Sequence, residues 1–440
     1  MATRRSRAVS PMTTKPERKT LVLVGTNHRR APVELRERLY LASAEAADFA
    51  GRLSDRGGEA VVLSTCNRTE VYLAHPEPQG SAARAHAELA RLARLPEAEL
   101  GSALCVLHED AAALQLFRVA AGLESLIPGE LQILGQVRAA HEAALNVGAS
   151  GPILNQLFHQ VLHAAKRVHT EAAFGEQPSS IPAAAAQLAR QFYGGLEGRR
   201  ILIIGAGKMS ELAALDFTSA GAEGIVVTNR GPSRAKKLAD RFGGVAVGFE
   251  QLAEELERAD VVISSTRSPR LVLTVEEAAE GIRRRRGRRL LFIDIAVPRD
   301  LDPAIGQVGG CYLYDIDDLG DAAAERRTDR RRQTVKAEAI LAGEVARFRA
   351  WRRSLGVVPT ITSLRRLAED IRTAELERAE HRLDSLSPSE RHAVEALTAK
   401  IVRKLLHTPT VRIKQAALQP DGQAYVSAVE HLFGLGENGR

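Results

Sequence analysis

Residues 200–210 constrain the fold of this 440-residue chain more than any other stretch: Arg200-Ile201-Leu202-Ile203-Ile204-Gly205-Ala206-Gly207-Lys208-Met209-Ser210. A β-branched apolar run leads into Gly-x-Gly and then into a helical pattern over residues 208–220. This is the context that a dinucleotide-binding turn requires, because glycines allow a tight turn and let a pyrophosphate approach the helix N-terminus. Further strands are expected at residues 225–228, 261–264 and 290–293, with a helix at 233–242 between the first two. That alternation predicts a Rossmann-type α/β domain. Ser210 stands where the full pattern has its third glycine. At the end of the second strand, Thr228-Asn229-Arg230 lacks the carboxylate that holds a ribose 2′-hydroxyl, and Arg230, helped by Ser233 and Arg234, suits a 2′-phosphate. The expected cofactor is therefore NADPH, with Gly205, Ala206, Gly207, Lys208, Met209, Ser210, Asn229 and Arg230 as the binding residues.

A chain this long exceeds one ordinary core, so two or three domains are expected. Ahead of the Gly-x-Gly stretch lies an α+β pattern. Its most informative segment is Ala60-Val61-Val62-Leu63, a buried strand, followed by Ser64-Thr65-Cys66-Asn67-Arg68-Thr69-Glu70. Cys66 is expected where the strand ends and the backbone turns, with 71–73 as the returning strand. Arg68 lies two residues on, and a neighbouring guanidinium favours the nucleophilic thiolate. Gln132 and Gln136, after Pro128-Gly129-Glu130-Leu131, fall on one helix face at i, i+4. His159, His163 and His169 share another helix without the intervening Glu of a metalloprotease motif, and no C-x-x-C occurs among the three cysteines, so no metal site is expected.

The segment over residues 1–19 is basic and polar with no hydrophobic core of a secretory signal, and it reads as a disordered arm. No apolar run approaches the roughly 18 residues of a membrane span. Together with the cysteine usage this leads to the expectation of a cytoplasmic protein. The net charge of +7 permits a polyanionic partner without naming one, and the arginine run at 283–286, 288 and 289 is either a solvated loop or an RNA-phosphate contact. Beyond residue 316 the chain turns long, charged and helical, with helices expected over 317–353, 363–386 and 389–406, the last closed by Pro409. Leu364, Leu367, Ile371 and Leu376 recur at helical spacing, as in helices that pack on a second copy.

Several long stretches, in order, resemble bacterial glutamyl-tRNA reductase over roughly residues 21–406: Gly25-Thr26-Asn27-His28 through Val33, Ser64 through Tyr72, Leu116 through Ser125, Gly129 through Val137, and Phe292 through Asp300. The resemblance implies a multidomain α/β protein. An α+β catalytic, glutamyl-tRNA-binding domain over 20–175 precedes a Rossmann-type NADP-binding domain over 176–315, and a C-terminal helical dimerisation domain over 316–435 is joined by a long helix. It implies reduction of glutamyl-tRNA to glutamate-1-semialdehyde through a Cys66 thioester, the entry to tetrapyrrole (porphyrin, haem) biosynthesis, by a homodimer. An aminotransferase that takes the product directly is left open. Carried over residue by residue, Thr65, Asn67, Arg68, Ser125, Glu130, Leu131, Gln132 and Gln136 line the glutamyl site, with Arg68 gripping a substrate carboxylate. The chain departs from the family at Gln115, where a His is usual, and at Arg267, where a Gly is common. Gln115 is the feature that favours a second reading, a catalytically weak regulatory paralogue. A third reading is an unrelated NADP-dependent dehydrogenase that works without tRNA.

Overall fold

The computed structural model describes residues 19–55, 57–126, 132–172, 180–324, 330–416 and 422–435, with side chains 321–332 and 422–423 left aside. The expected arm, the boundary at 175/176, and the site residues Glu130 and Leu131 lie outside the described residues. The chain divides into two compact units, one over Lys19–Val345 and the other from Ala346 onward.

The larger unit holds two sheets. The first is antiparallel, in the order β2-β3-β1-β4, from β1 (Thr20–Asn27), β2 (Glu59–Thr65), β3 (Arg68–His75) and β4 (Cys105–His108). The central strands are buried almost throughout; β1 reads as an apolar run, while β3 buries Arg68, Thr69, Glu70 and His75 beside Val71, Tyr72, Leu73 and Ala74. Strand β4 alternates in burial and is too short and polar at its ends to stand out in the sequence. Pairing of Thr65 with Arg68 leaves Cys66 and Asn67 as the two-residue turn of a β-hairpin, which bears out the expectation for this segment. Helix Pro152–Ala172 buries Leu154, Leu157, Phe158, Val161, Ala165 and Val168, one stripe at helical spacing, and Phe158 meets Tyr72 edge-on at 5.9 Å. The N-terminus of that helix is closed from outside: Glu59 of β2 accepts Leu154 N at 2.8 Å.

The second sheet is six-stranded and parallel, in the order β10-β9-β8-β5-β6-β7. Its strands are β5 (Arg200–Ile204), β6 (Gly224–Thr228), β7 (Val245–Val247), β8 (Val261–Ser264), β9 (Leu290–Asp294) and β10 (Cys311–Tyr314). Core clusters lie on both faces, one around Ile201, Ile203, Phe217 and Ile263, the other around Leu202, Ile204, Val262 and Phe292. This is the doubly wound arrangement expected from residues 200–293. Helix Ile181–Tyr193 begins at Ser180, whose Oγ accepts Ala183 N at 3.2 Å, with Pro182 in the first turn as expected.

One local expectation is corrected. Pro409 does not close a helix: Pro388–Ala416 runs through it, and residues 405 and 407–409 are exposed, so water can serve the carbonyl that Pro leaves unpaired. In the arginine run Arg283, Arg284, Arg286, Arg288 and Arg289 are exposed, and Arg285 alone is buried. Arg283 and Arg284 end helix Val275–Arg284, and the Arg285 guanidinium is buried, donating to the carbonyls of Leu256, Glu257 and Ala259. Arg289 lies over the Phe192 ring at 5.2 Å.

The second unit is helical. Val358–Arg378 and Pro388–Ala416 pack on each other and on Gly422–Leu432 around Val357, Ile361, Leu364, Ile413 and Val426. The long helix Arg330–Leu355 begins in the larger unit and ends in this one. No described helix is long and apolar enough to cross a membrane.

Candidate active site

Polar contacts from both sides hold the Cys66-Asn67 turn. Asn67 N donates to Thr65 Oγ1 at 3.2 Å, His28 N donates to Asn67 O at 2.9 Å, and Arg36 Nη1 donates to Cys66 O at 2.6 Å. Two residues give the turn little freedom of its own, so these bonds fix where the thiol points. Arg68, the first residue of the returning strand, is buried, its side chain 1% exposed. Its Nη1 lies 3.0 Å from Glu70 Oε1, and Nη2 donates to Glu124 O. Glu70 is held in turn by Tyr72 OH at 2.6 Å and Gln115 Nε2 at 3.1 Å. Burial, reinforced by Glu70, pushes the Tyr72 phenol well above its usual range, so it stays a donor. Arg68 is thus an ordered cation beside the thiol, and its Nε has no partner among the described residues. Gln132 Nε2 is likewise a buried donor without one.

A cavity of about 770 Å³ joins this turn to the Gly-x-Gly turn. Tyr40, Thr65, Cys66, Asn67, Arg68, Ser125, Gln132 and Gln136 line one side. Gly205, Ala206, Gly207, Lys208 and Met209 line the other, with Asn229, Arg234 and residues 265–267. Among the described residues, the structure therefore brings the expected glutamyl residues to one wall and most of the expected cofactor residues to the facing wall.

The turn that would hold a nucleotide is built by packing. Gly205 has φ +111°, donates from its N to Thr228 O at 2.8 Å, and has Ser265 O 2.3 Å from where a Cβ would be, so only glycine fits. At Gly207 a Cβ would meet nothing within 4 Å, which leaves the backbone at the start of helix Lys208–Ser219 open to the cavity. With Lys208, Arg234 and Arg267 on the wall, the residues fit a polyanionic dinucleotide. Two expectations are corrected here. Ser210 is fully buried and donates to Ser265 O at 3.3 Å, so it packs the helix against the end of β8 rather than facing a cofactor. Arg230 donates to Ser268 Oγ at 3.1 Å, and the cation on the cavity wall at this end is Arg234. Arg230 lies in the short loop between β6 and helix Pro232–Arg241, where Ser268 holds it, whereas Arg234 belongs to the first turn of that helix.

Sequence reading missed Tyr40, Arg36, Glu70 and residues 265–266 as parts of the site. Tyr40 sits one residue beyond helix Val33–Leu39, and the chain there is tied to the hairpin by Leu41 N to Ser64 Oγ at 2.9 Å. Burial first, then Cys66, pushes its phenol upward, which keeps the proton on. The acidic residue within Thr69-Glu70-Val71 was the available signal for a partner to Arg68. His28 is neutral: burial, then Arg68, Arg29 and Arg36, lowers its pKa to about 3.

The regions of this chain match known families in the same order. Residues 24–172 match the N-terminal domain of glutamyl-tRNA(Glu) reductase, residues 187–322 match shikimate/quinate 5-dehydrogenase, and residues 336–435 match the glutamyl-tRNA(Glu) reductase dimerisation domain. The glutamyl-tRNA reductase of Syntrophotalea carbinolica is 42% identical over 416 residues, covering 94% of this chain and 94% of that protein. The chain belongs to the glutamyl-tRNA reductase family. The family's enzyme from Moorella thermoacetica is also 42% identical, over 94% of this chain and 95% of its own length. The solved glutamyl-tRNA reductase of Methanopyrus kandleri is 31% identical, covering 94% of this chain and 99% of its own, with a TM-score of 0.47. Membership across nearly the whole length leaves no room for the reading as an unrelated dehydrogenase, and it does not favour a regulatory paralogue.

Proposed function

We propose that this chain catalyses the NADPH-dependent reduction of glutamyl-tRNA to glutamate-1-semialdehyde through a thioester at Cys66, the first committed step of tetrapyrrole biosynthesis. The observation that carries the proposal is the single cavity shared by the Cys66 turn and the Gly-x-Gly turn. Cys66 Sγ attacks the ester carbonyl, forming a C–S bond as the C–O bond to the tRNA ribose breaks, and the leaving hydroxyl gains a proton. The unpartnered Arg68 Nε and Gln132 Nε2 donors suit the glutamyl side-chain carboxylate, and Thr65, Asn67, Ser125 and Gln136 complete that wall. Glu130 and Leu131 are assigned to the glutamyl site by their place in the sequence motif alone. The chemistry a nicotinamide supplies when bound is a hydride for the thioester carbon, after which Cys66 is released as thiolate. Gly205, Ala206, Gly207, Lys208 and Met209 would hold its phosphates, and Asn229 and Arg234 its adenosine side. Ser210 supports that turn from behind.

The domain division is catalytic over 20–175, NADP-binding over 176–315 and dimer-forming over 316–435. The working form is a homodimer in the cytoplasm, and an aminotransferase that consumes the aldehyde is its expected partner. The deciding assay supplies purified protein with glutamyl-tRNA and NADPH and measures the aldehyde, with and without ribonuclease. Cys66→Ser should abolish reduction and leave glutamyl-tRNA binding intact, because a serine hydroxyl without a strong base is a poor nucleophile. Substantial NADPH oxidation by that variant, or aldehyde formation that survives ribonuclease, would sink the proposal.

A further inference from the structure

Helix Val33–Leu39 has only seven residues, yet it carries contacts to both walls of the cavity. The Arg36 side chain, 1% exposed, sends Nη1 to Cys66 O at 2.6 Å and to Asn67 Oδ1 at 3.3 Å, and Nη2 to Asp317 Oδ1 at 2.5 Å. Asp317 belongs to helix Ile316–Ala324, which follows the last strand of the parallel sheet. One guanidinium therefore bridges the catalytic turn and a segment 281 residues away in sequence. On the same helix, Glu37 Oε1 accepts Arg299 N at 2.6 Å and Arg299 Nε at 3.0 Å, and Glu34 Oε1 accepts Arg299 Nη1 at 3.0 Å. Arg299 adjoins Asp300, whose carboxylate takes Thr266 N at 2.6 Å and Ser264 Oγ at 2.8 Å. Thr266 lies on the cofactor wall of the cavity.

We propose that Arg36 is a positioning residue for the Cys66 thiol, and that Asp317 and Arg299 clamp the parallel-sheet part onto the same short helix so that thiol and cofactor wall are aligned together. The inference rests on the reductase reading. Its physical basis is that Arg36 grips both residues of the turn, Cys66 through its carbonyl and Asn67 through Oδ1, and a planar guanidinium can hold two acceptors in fixed directions where a lysine ammonium cannot. A displacement of the thiol by about 1 Å is enough to cost a reaction on the order of 10²-fold. The clamp matters for the second half of the reaction, since the acyl group on Cys66 must meet a hydride donor held by the other wall, whereas attack on the ester needs only the first wall.

The test uses the full chain and three readouts: deacylation of glutamyl-tRNA without cofactor, aldehyde formation with NADPH, and iodoacetamide labelling of Cys66 against Cys105, read by peptide mass spectrometry. Asp317→Asn and Arg299→Gln should leave deacylation near its original rate while aldehyde formation falls about tenfold or more. Arg36→Lys should change the labelling rate of Cys66 and leave that of Cys105 unchanged. Equal fractional loss of both rates in Asp317→Asn and Arg299→Gln, or no loss in either, overturns the clamp. An unchanged Cys66 labelling rate in Arg36→Lys overturns the positioning role. If the unmutated chain neither deacylates glutamyl-tRNA nor makes aldehyde, the reductase reading falls instead, and the labelling ratio still decides the place of Arg36.

Discussion

Glu70 gathers three donors from three places: Arg68 from the start of its own strand, Tyr72 from two residues on, and Gln115 from helix Glu109–Ala120. The pair it forms with Arg68 is fully buried, so removing either partner alone should cost about 3–5 kcal/mol by leaving a charge uncompensated. Gln115 therefore belongs to the same buried network as Arg68, joined to it through Glu70. An imidazole at this position keeps an N–H for Glu70 and adds a second nitrogen that can move a proton near neutral pH, which an amide cannot. Gln115→His should raise the single-turnover rate, since general acid–base assistance is typically worth about 10²–10⁴-fold. A fall in that rate would mean that the pocket is built around the amide. The cofactor side yields a second prediction at this scale. NADPH should be preferred over NADH, and Arg234→Glu should narrow the ratio of kcat/KM values at least as much as Arg230→Glu, because Arg234 lies on the cavity wall while Arg230 is engaged with Ser268. Equal efficiency with both cofactors in the unmutated protein would contradict the assignment. The sequence marked Arg230 from its place after a strand. Which of two arginines one helical turn apart reaches the cavity depends on how the helix leaves the sheet, and no local pattern encodes that.

Among the elements, β9 ends on a carboxyl group whose ionisation is strongly altered. Asp294 is 1% exposed and accepts Ala296 N at 3.0 Å, Asp300 N at 2.8 Å and Leu301 N at 2.8 Å. Those donors favour the carboxylate, but burial outweighs them and raises its pKa from 3.8 to about 7. The folded chain thus holds a proton that the unfolded chain has already lost. The stabilising contribution is complete below about pH 4 and is lost as pH rises through about 7. Asp294→Asn has no such titration. Its melting temperature relative to the unmutated protein should therefore climb between pH 5 and pH 8, and a pH-independent difference would show that Asp294 is ionised throughout. The elements themselves were largely legible where an apolar run met a turn residue, as in the Cys66 hairpin and the strands at 261–264 and 290–293. Strand β7, with only three residues and two of them exposed, left no such trace. Helix Pro388–Ala416 outran its expected end because proline stops a helix only when the freed carbonyl has no other partner.

At the scale of the molecule, the helical unit leaves apolar surface open on one face of helix Pro388–Ala416: Leu397, Ile401 and Leu405, spaced four residues apart, are 58%, 48% and 69% exposed. A stripe of this kind is costly to leave in water and fits a second copy. Ile401→Asp combined with Leu405→Asp should yield a folded monomer in light scattering, with helical content retained. A dimer that survives both changes would place the contact elsewhere. What the sequence determined by itself were the features that arise between neighbours along the chain. The strand–Gly-x-Gly–helix unit, the turn at Cys66 and the order of the motifs follow from the conformational freedom of glycine, the period of apolar residues and the residue types at a turn. The structure alone decided that Arg36 serves Cys66, that Gln115 and Tyr72 serve Glu70, that Ser210 packs rather than binds, and that the Cys66 and Gly-x-Gly turns open onto one cavity. Each of these joins residues far apart in sequence or depends on which way a side chain leaves its element. Such contacts are set by packing two sheets and their helices together, and a linear pattern holds no distance across that packing.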